Sequence, residues 1–183
     1  MSTPFLYFPG GRLSEAELCA ARLDGHVVEL GDAFVPADAV ETAALRAGSL
    51  RGILGESLAA THVSAAWVHG VTLDPPGRHT VQRAIRRRLH AVLDVRLVYR
   101  DTTIDVDDLQ LLGGVWVTTL TRTLADLVRV DDEDHADAAR ALAVARPDIV
   151  RDAETWLVEH SGVPHKKVGL QRLRVLGQDD VTR

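Results

Sequence analysis

The chain has 183 residues, 46% of them hydrophobic and 26% charged, with a net charge of −5 at neutral pH. This is enough apolar material for one compact domain, or a small module joined to a larger one, and too balanced a composition for a disordered chain. A single cysteine, Cys19, excludes an internal disulfide, no run approaches the ~20 apolar residues that span a bilayer, and the first residues lack a signal peptide's basic and apolar regions, so a cytosolic protein is expected.

In chain order, the first predicted element is a helix from Leu13 to Asp24. Ser14 and Glu17 form a capping box at its start and Gly25 stands where it ends. His26–Leu30 and Ala33–Pro36 read as two short strands with Gly31-Asp32 as a tight turn. Helix plus hairpin is what remains at the back of a winged helix, the recognition helix and its wing. Asp38 with Glu41 predicts a further helix through Arg46, after which Gly48, Gly52 and Gly55 interrupt the chain. A helix from Thr61 or His62 to His69 ends at Gly70. The loop Asp74-Pro75-Pro76-Gly77 marks the expected boundary between an N-terminal part, 1–72, and the remainder, 73–183.

Beyond that loop the period changes. His79–Ala84 and Asp94–Tyr99 read as strands, and Val115–Thr118 is a short β-rich run after Gly113-Gly114. Thr118 or Thr119 caps a helix with Leu120, Leu124, Leu127 and Val128 on one face. Three helices follow: an Ala-rich one to Arg146, a second over Ile149–His160 capped by Asp148, and a last one after Pro164 with Leu170, Leu173 and Leu176 as apolar positions. The tail from Gly177 is polar and is expected to fray. The fold class is α/β (α+β): a degenerate winged-helix module, then a small mixed strand and helix domain with a helical C-terminal end.

Charge is segregated along the chain. Residues 1–70 hold 4 Arg against 8 Asp/Glu, residues 71–100 hold 7 Arg against 2 Asp, and residues 101–137 hold 2 Arg against 10 Asp/Glu. Such blocks mean complementary faces, within the fold or toward a partner.

Three segments carry a family resemblance: the helix and hairpin ending Asp32-Ala33-Phe34-Val35-Pro36, the helix end Ser64-Ala65-Ala66-Trp67-Val68-His69-Gly70, and the strand-to-helix run Gly114-Val115-Trp116-Val117-Thr118-Thr119-Leu120-Thr121-Arg122-Thr123-Leu124-Ala125-Asp126-Leu127. In order and spacing they resemble the AbiEi-type (abortive infection) antitoxins of toxin–antitoxin systems. The resemblance implies a non-catalytic antitoxin whose partner is a cognate nucleotidyltransferase toxin, with transcriptional autoregulation through the winged helix. The helix and hairpin depart from the family's basic wing: Glu15, Glu17, Asp24, Glu29 and Asp32 stand against Arg12 and Arg22. Phosphate neutralisation dominates DNA affinity, so this module is expected to bind DNA weakly. A DNA-binding regulator without a toxin partner is the alternative, and a nucleic-acid-processing enzyme is the least supported.

Trp67, His69, Gly70, Arg122, Thr123 and Asp126 are the motif residues expected to be structural. Arg122 and Asp126 are four apart on a helix and pair there, and His69 caps its helix. His62, His69, His79 and His90 lack metal-ligand spacing, and no cofactor is expected. Cys19 is expected to be buried as a small hydrophobe, and Trp67, Trp116 and Trp156 to lie in the core. Arg83, Arg86, Arg87 and Arg88 form the strongest charge cluster, either a solvated edge or a surface for an acidic partner or nucleic acid; the acidic run Asp131–Asp134 is a solvated loop or the internal partner of these arginines. Lys166 and Lys167 on the last helix are a solvated face or a second contact site.

Overall fold

The computed structural model describes residues 5–89 and 94–179. Helix α1 (Glu15–Leu23) starts at the capping box: Ser14 Oγ accepts the Glu17 N–H at 3.3 Å, and the Glu17 carboxylate accepts the Ser14 N–H at 2.8 Å. Strands β1 (Val27–Leu30) and β2 (Ala33–Pro36) form an antiparallel hairpin around the two-residue turn Gly31-Asp32, with Leu30 opposite Ala33. Gly31 has φ 55°, and a Cβ there would stand 2.4 Å from Ser49 Oγ, so only glycine brings the turn this close to the core. Leu18, Val27 and Phe34 close a small apolar cluster beneath the hairpin. Among the described residues no helix precedes α1; Tyr7 instead bridges to Phe34 as extended backbone. Cys19 is exposed, contrary to expectation, because its neighbour Leu18 takes the inward position on α1.

Helix α2 (Ala43–Ser49) begins later than the Asp38/Glu41 pattern predicts. Thr42 is the cap, its Oγ1 accepting the Leu45 N–H at 3.3 Å, while Glu41 is drawn off to Arg46 Nε at 2.6 Å. The short helix α3 (Arg51–Leu54) follows at once and ends at Gly55, so Gly48 and Gly52 lie inside helices instead of breaking them.

Five strands among the described residues make one mixed sheet. They are β3 (Leu58–Ala60), β4 (His79–Arg83), β5 (Leu97–Thr103), β6 (Leu109–Leu112) and β7 (Val115–Thr118), in the spatial order β5-β4-β3-β7-β6. β3 runs antiparallel to β4 and parallel to β7, β4 runs parallel to β5, and β6 pairs with β7 as a hairpin. β3 and β6 are strands that sequence pattern does not predict. β5 is displaced from its expected span, since the Asp94 carboxylate accepts the Arg96 N–H at 2.9 Å in a turn that leaves Val95 exposed. Gly113, in the β6–β7 turn, has φ 54°, and a Cβ there would meet the Ala44 carbonyl at 2.1 Å, which fixes the hairpin against α2. β3 and the helix after it precede residue 73, whereas β4 and β7, which flank β3, follow it.

Helix α4 (His62–Val68) packs between two cores. Ala65, Trp67 and Val68 face the sheet cluster with Leu50, Val81 and Val117; Ala66 faces a helical cluster with Leu124, Leu142 and Leu157. A helix covered on both sides must be small or apolar almost all round, which is what Ser64-Ala65-Ala66-Trp67-Val68 provides. Trp67 is fully buried, but Trp116 and Trp156 are only half-buried. The helical cluster is built from α5 (Leu120–Leu127), α6 (Glu133–Ala145), α7 (Asp148–Glu159) and α8 (Lys166–Asp179). Asp148 opens α7 as its first residue and pairs with Arg146 at 2.7 Å instead of capping. α8 stays helical through Gly177 to Asp179, and the rest of the expected fraying tail lies outside the described residues. The fold is mixed α+β. No helix among the described residues is long and apolar enough to cross a membrane.

Candidate functional site

The motif residues converge where β7 turns into α5. Thr119 caps α5 by accepting the Arg122 N–H at 3.3 Å. Thr118 and Thr123 hydroxyls meet at 2.8 Å, and His69 Nε2 lies 2.8 Å from the Thr118 carbonyl, which ties the end of α4 to the end of β7. His69 occupies the C-cap of α4 and Gly70 follows at φ 80°. Its role differs from a charged dipole partner, because burial holds its pKa below the ordinary histidine range, with the bond to Thr118 opposing. The neutral ring is a cross-link between two elements.

Arg122 is the centre of a buried ionic network. Its Nε donates to Asp126 Oδ1 at 3.0 Å and its Nη1 to Asp108 Oδ2 at 2.7 Å. Asp108 also accepts the Trp156 indole N–H at 2.8 Å, and the Arg122 guanidinium lies 4.6 Å from the Trp156 ring centroid. Arg129 donates to Asp126 as well, and to the Ala125 carbonyl at 2.9 Å. Burial alone would raise the Asp126 pKa; His62, Arg122 and Arg129 together outweigh it and hold the carboxyl below the usual aspartate range. The predicted Arg122–Asp126 pair is therefore present, and extends through Asp108 to α7.

This network walls a cleft of about 750 Å³ between β4, β5, α5 and the segment leading from α7 into α8. Its buried floor includes His62, Gln82 and Asp126, and its exposed rim includes Arg100, Thr102 and His165. Burial pushes the His62 pKa down to about 4, with nearby cations assisting and Asp126 opposing. Sequence reasoning does not find the cleft, because its walls come from positions 62 to 172.

A model of the AbiEi antitoxin C-terminal domain matches residues 58–176. The chain belongs to the AbiEi antitoxin family. No curated protein matches it. The matched span of this AbiEi antitoxin begins at β3 and ends in α8, so it takes in the sheet, the Arg122 network and the cleft, and leaves out α1 and the hairpin.

The structure separates the arginine cluster of the antitoxin. β4 ends at Arg83, so the chain does not stay extended through Arg88. Arg83 is buried and paired with Asp101 at 2.9 Å. Arg86, Arg87 and Arg88 are exposed on the bend that follows; among the described residues Arg88 has only a loose contact with Asp101 at 3.8 Å, and Arg86 and Arg87 have no ion pair. The acidic run does not meet these arginines. Asp131 pairs with Arg172 of α8, and Asp132 caps α6 and holds His135 Nδ1 at 2.7 Å. Lys166 Nζ donates to the Val158 and His160 carbonyls at the end of α7, while Lys167 is exposed. His90 lies outside the described residues; among those described, no group of three or more His, Cys, Asp or Glu is arranged to hold a metal.

Proposed function

We propose that the chain is the antitoxin of a bacterial toxin–antitoxin pair that counteracts a cognate nucleotidyltransferase toxin by binding, without catalysis, in the cytosol. The observation that carries this reading is the family match over residues 58–176, which makes the antitoxin domain the larger part of the chain. We assign the toxin contact to Arg86, Arg87 and Arg88, with Lys167 as a second point. These are exposed cations, whereas the side chains of Arg83 and Lys166 are committed within the fold to Asp101 and the α7 carbonyls. Rim charges of this kind speed association and make affinity salt-dependent. The double variant Arg86→Glu with Arg88→Glu, first shown to be folded, is expected to lose at least tenfold in association rate and to fail to rescue growth against the neighbouring toxin. Full rescue with salt-independent binding would remove the bend as a contact.

The helix and hairpin of residues 15–36 read as a winged-helix remnant with little purchase on DNA. Arg22 of α1 is neutralised by Glu29 of β1 at 2.6 Å, and Asp32 at the turn holds Arg96 at 2.8 Å. Duplex DNA binding is expected to be weak at physiological salt, with autoregulation correspondingly slight. A gel shift on the gene's own promoter with nanomolar, sequence-specific retardation would favour the regulator alternative instead.

A further inference from the structure

Three independent observations fall on the same cleft. Its volume, about 750 Å³, is that of a small-molecule site, within the ~300–1,000 Å³ usual for such pockets. Two residues on its floor each carry a buried side-chain oxygen without a hydrogen-bond partner, Gln82 Oε1 and Asp126 Oδ2. Gln82 is 5% exposed and Asp126 0%, so neither oxygen is open to bulk solvent. The two non-glycine residues described with a left-handed backbone, His62 (φ 53°) and His165 (φ 57°), both line this cleft, one on the floor and one on the rim. Strain of this kind is retained where surrounding structure enforces it, and it concentrates at ligand sites.

The chemistry of the lining selects among ligands. The unpartnered floor atoms are acceptors, so they call for N–H donors. A cationic donor is disfavoured, because Asp126 is already neutralised by Arg122 and Arg129, and Arg100 stands on the same cleft. A neutral ring with N–H groups fits. The side wall is aromatic: Trp156 and His160 stack at 4.1 Å with 16° between their planes. The rim offers Arg100, which makes no ion pair among the described residues, with the hydroxyl of Thr102 on the same edge, a setting for an anionic group. Asp105 stands on the same rim and opposes that anion.

We infer that this cleft is a binding site for a nucleoside monophosphate or a close analogue, its base donating N–H groups toward Gln82 and Asp126 and its phosphate meeting Arg100. Binding here is independent of the toxin contact assigned to the bend at Arg86–Arg88. The antitoxin would then carry a metabolite-responsive site beside its protein-binding surface.

The test is calorimetric titration of the intact protein with GMP, AMP, CMP and UMP, alongside guanosine, inorganic phosphate and agmatine. At least one nucleotide is expected to bind saturably, at least tenfold tighter than guanosine or phosphate alone. Arg100→Ala, an exposed change, is expected to weaken it tenfold or more, and Asp105→Asn to strengthen it. Gln82→Leu removes an unsatisfied buried acceptor, so it is expected to lose binding while leaving the melting temperature of the free protein unchanged or higher, the reverse of a purely structural glutamine. No binding by any of the nucleotides at millimolar concentration, or binding unaffected by Arg100→Ala, overturns the proposal. Preferential binding of agmatine also overturns it and makes the cleft a receptor for a cationic group.

Discussion

Replacing Asp126 by alanine is expected to cost the fold on the order of 3 kcal/mol. The carboxylate is fully buried, and two guanidinium groups close on one of its oxygens, Arg122 at 3.0 Å from the same helix and Arg129 one turn further on. Deleting it leaves both cations with little solvent, their side chains being 11% and 12% exposed. Arg122 keeps Asp108 at 2.7 Å, which holds the loss to the lower end of the range for a broken buried pair. In a chain of this size that loss is about 6–12 °C in melting temperature. Asp126→Asn is the informative comparison. It retains Oδ1 as an acceptor for both arginines and places an amide where Oδ2 now lacks a partner, so it is expected to lose clearly less than the alanine variant. Equal melting temperatures for wild type and Asp126→Ala would show that the network contributes nothing to stability.

The same network explains what was legible in the sequence. The Ser14–Glu17 capping box, the Gly31-Asp32 hairpin and the Thr119 cap before Leu120 are local chemistry. Each is decided by residues within four positions of one another, and each is in place. Arg122 with Asp126 is legible for the same reason, being one helical turn apart; its links to Asp108 and Trp156, at separations of 14 and 34 residues, are not. The Asp38/Glu41 pattern failed because a tertiary contact, Glu41 with Arg46, competes for the capping carboxylate and Thr42 supplies a nearer hydroxyl. Of the two missed strands, β6 had a signal: Gly113-Gly114 is a two-residue hairpin turn that implies a strand on each side. β3 had none, since Leu58-Ala59-Ala60 is a central strand of three residues buried on both faces, and such a run has no alternation to read.

The arginine bend shows how a run of like charge divides once folded. Arg83 is still in β4 and turns inward to Asp101, whereas the bend releases the next three to solvent. Part of the acidic block is likewise held by internal partners: Asp108 and Asp126 by Arg122, Asp131 by Arg172, Asp132 by the start of α6. Pairing within the fold thus takes up part of each charged block, and the bend at Arg86–Arg88 is the exposed basic stretch that the antitoxin reading uses.

Acidification is expected to destabilise the protein by about 3 kcal/mol between pH 6.5 and pH 4 through His62 alone. The ring is 2% exposed, its Nδ1 lies 2.9 Å from the Thr61 hydroxyl, and it packs edge-on against His135 at 5.7 Å. Burial lowers its pKa from 6.5 to about 4; Arg100, Arg129 and His135 push the same way and Asp126 the other. Unfolding releases an ordinary histidine, which takes up a proton anywhere in that window. The unfolded state thus binds more protons than the folded one there, and stability rises with pH. The contribution is complete above about pH 6.5, declines through the window, and is gone at pH 4. Burial also lowers the pKa values of His69 and His79, so both steepen the slope with the same sign. The lowered carboxyls of Asp126 and Asp132 act below this window, since their stabilisation is lost only as pH falls below the ordinary aspartate value. Urea denaturation at half-unit steps from pH 7.5 to pH 4 measures the slope. His62→Asn keeps a neutral polar group that tolerates φ 53° while removing the titration. The variant is expected to be less steeply pH-dependent than wild type, whatever its stability at pH 7.5, and a slope identical to wild type would assign the acid sensitivity to other groups.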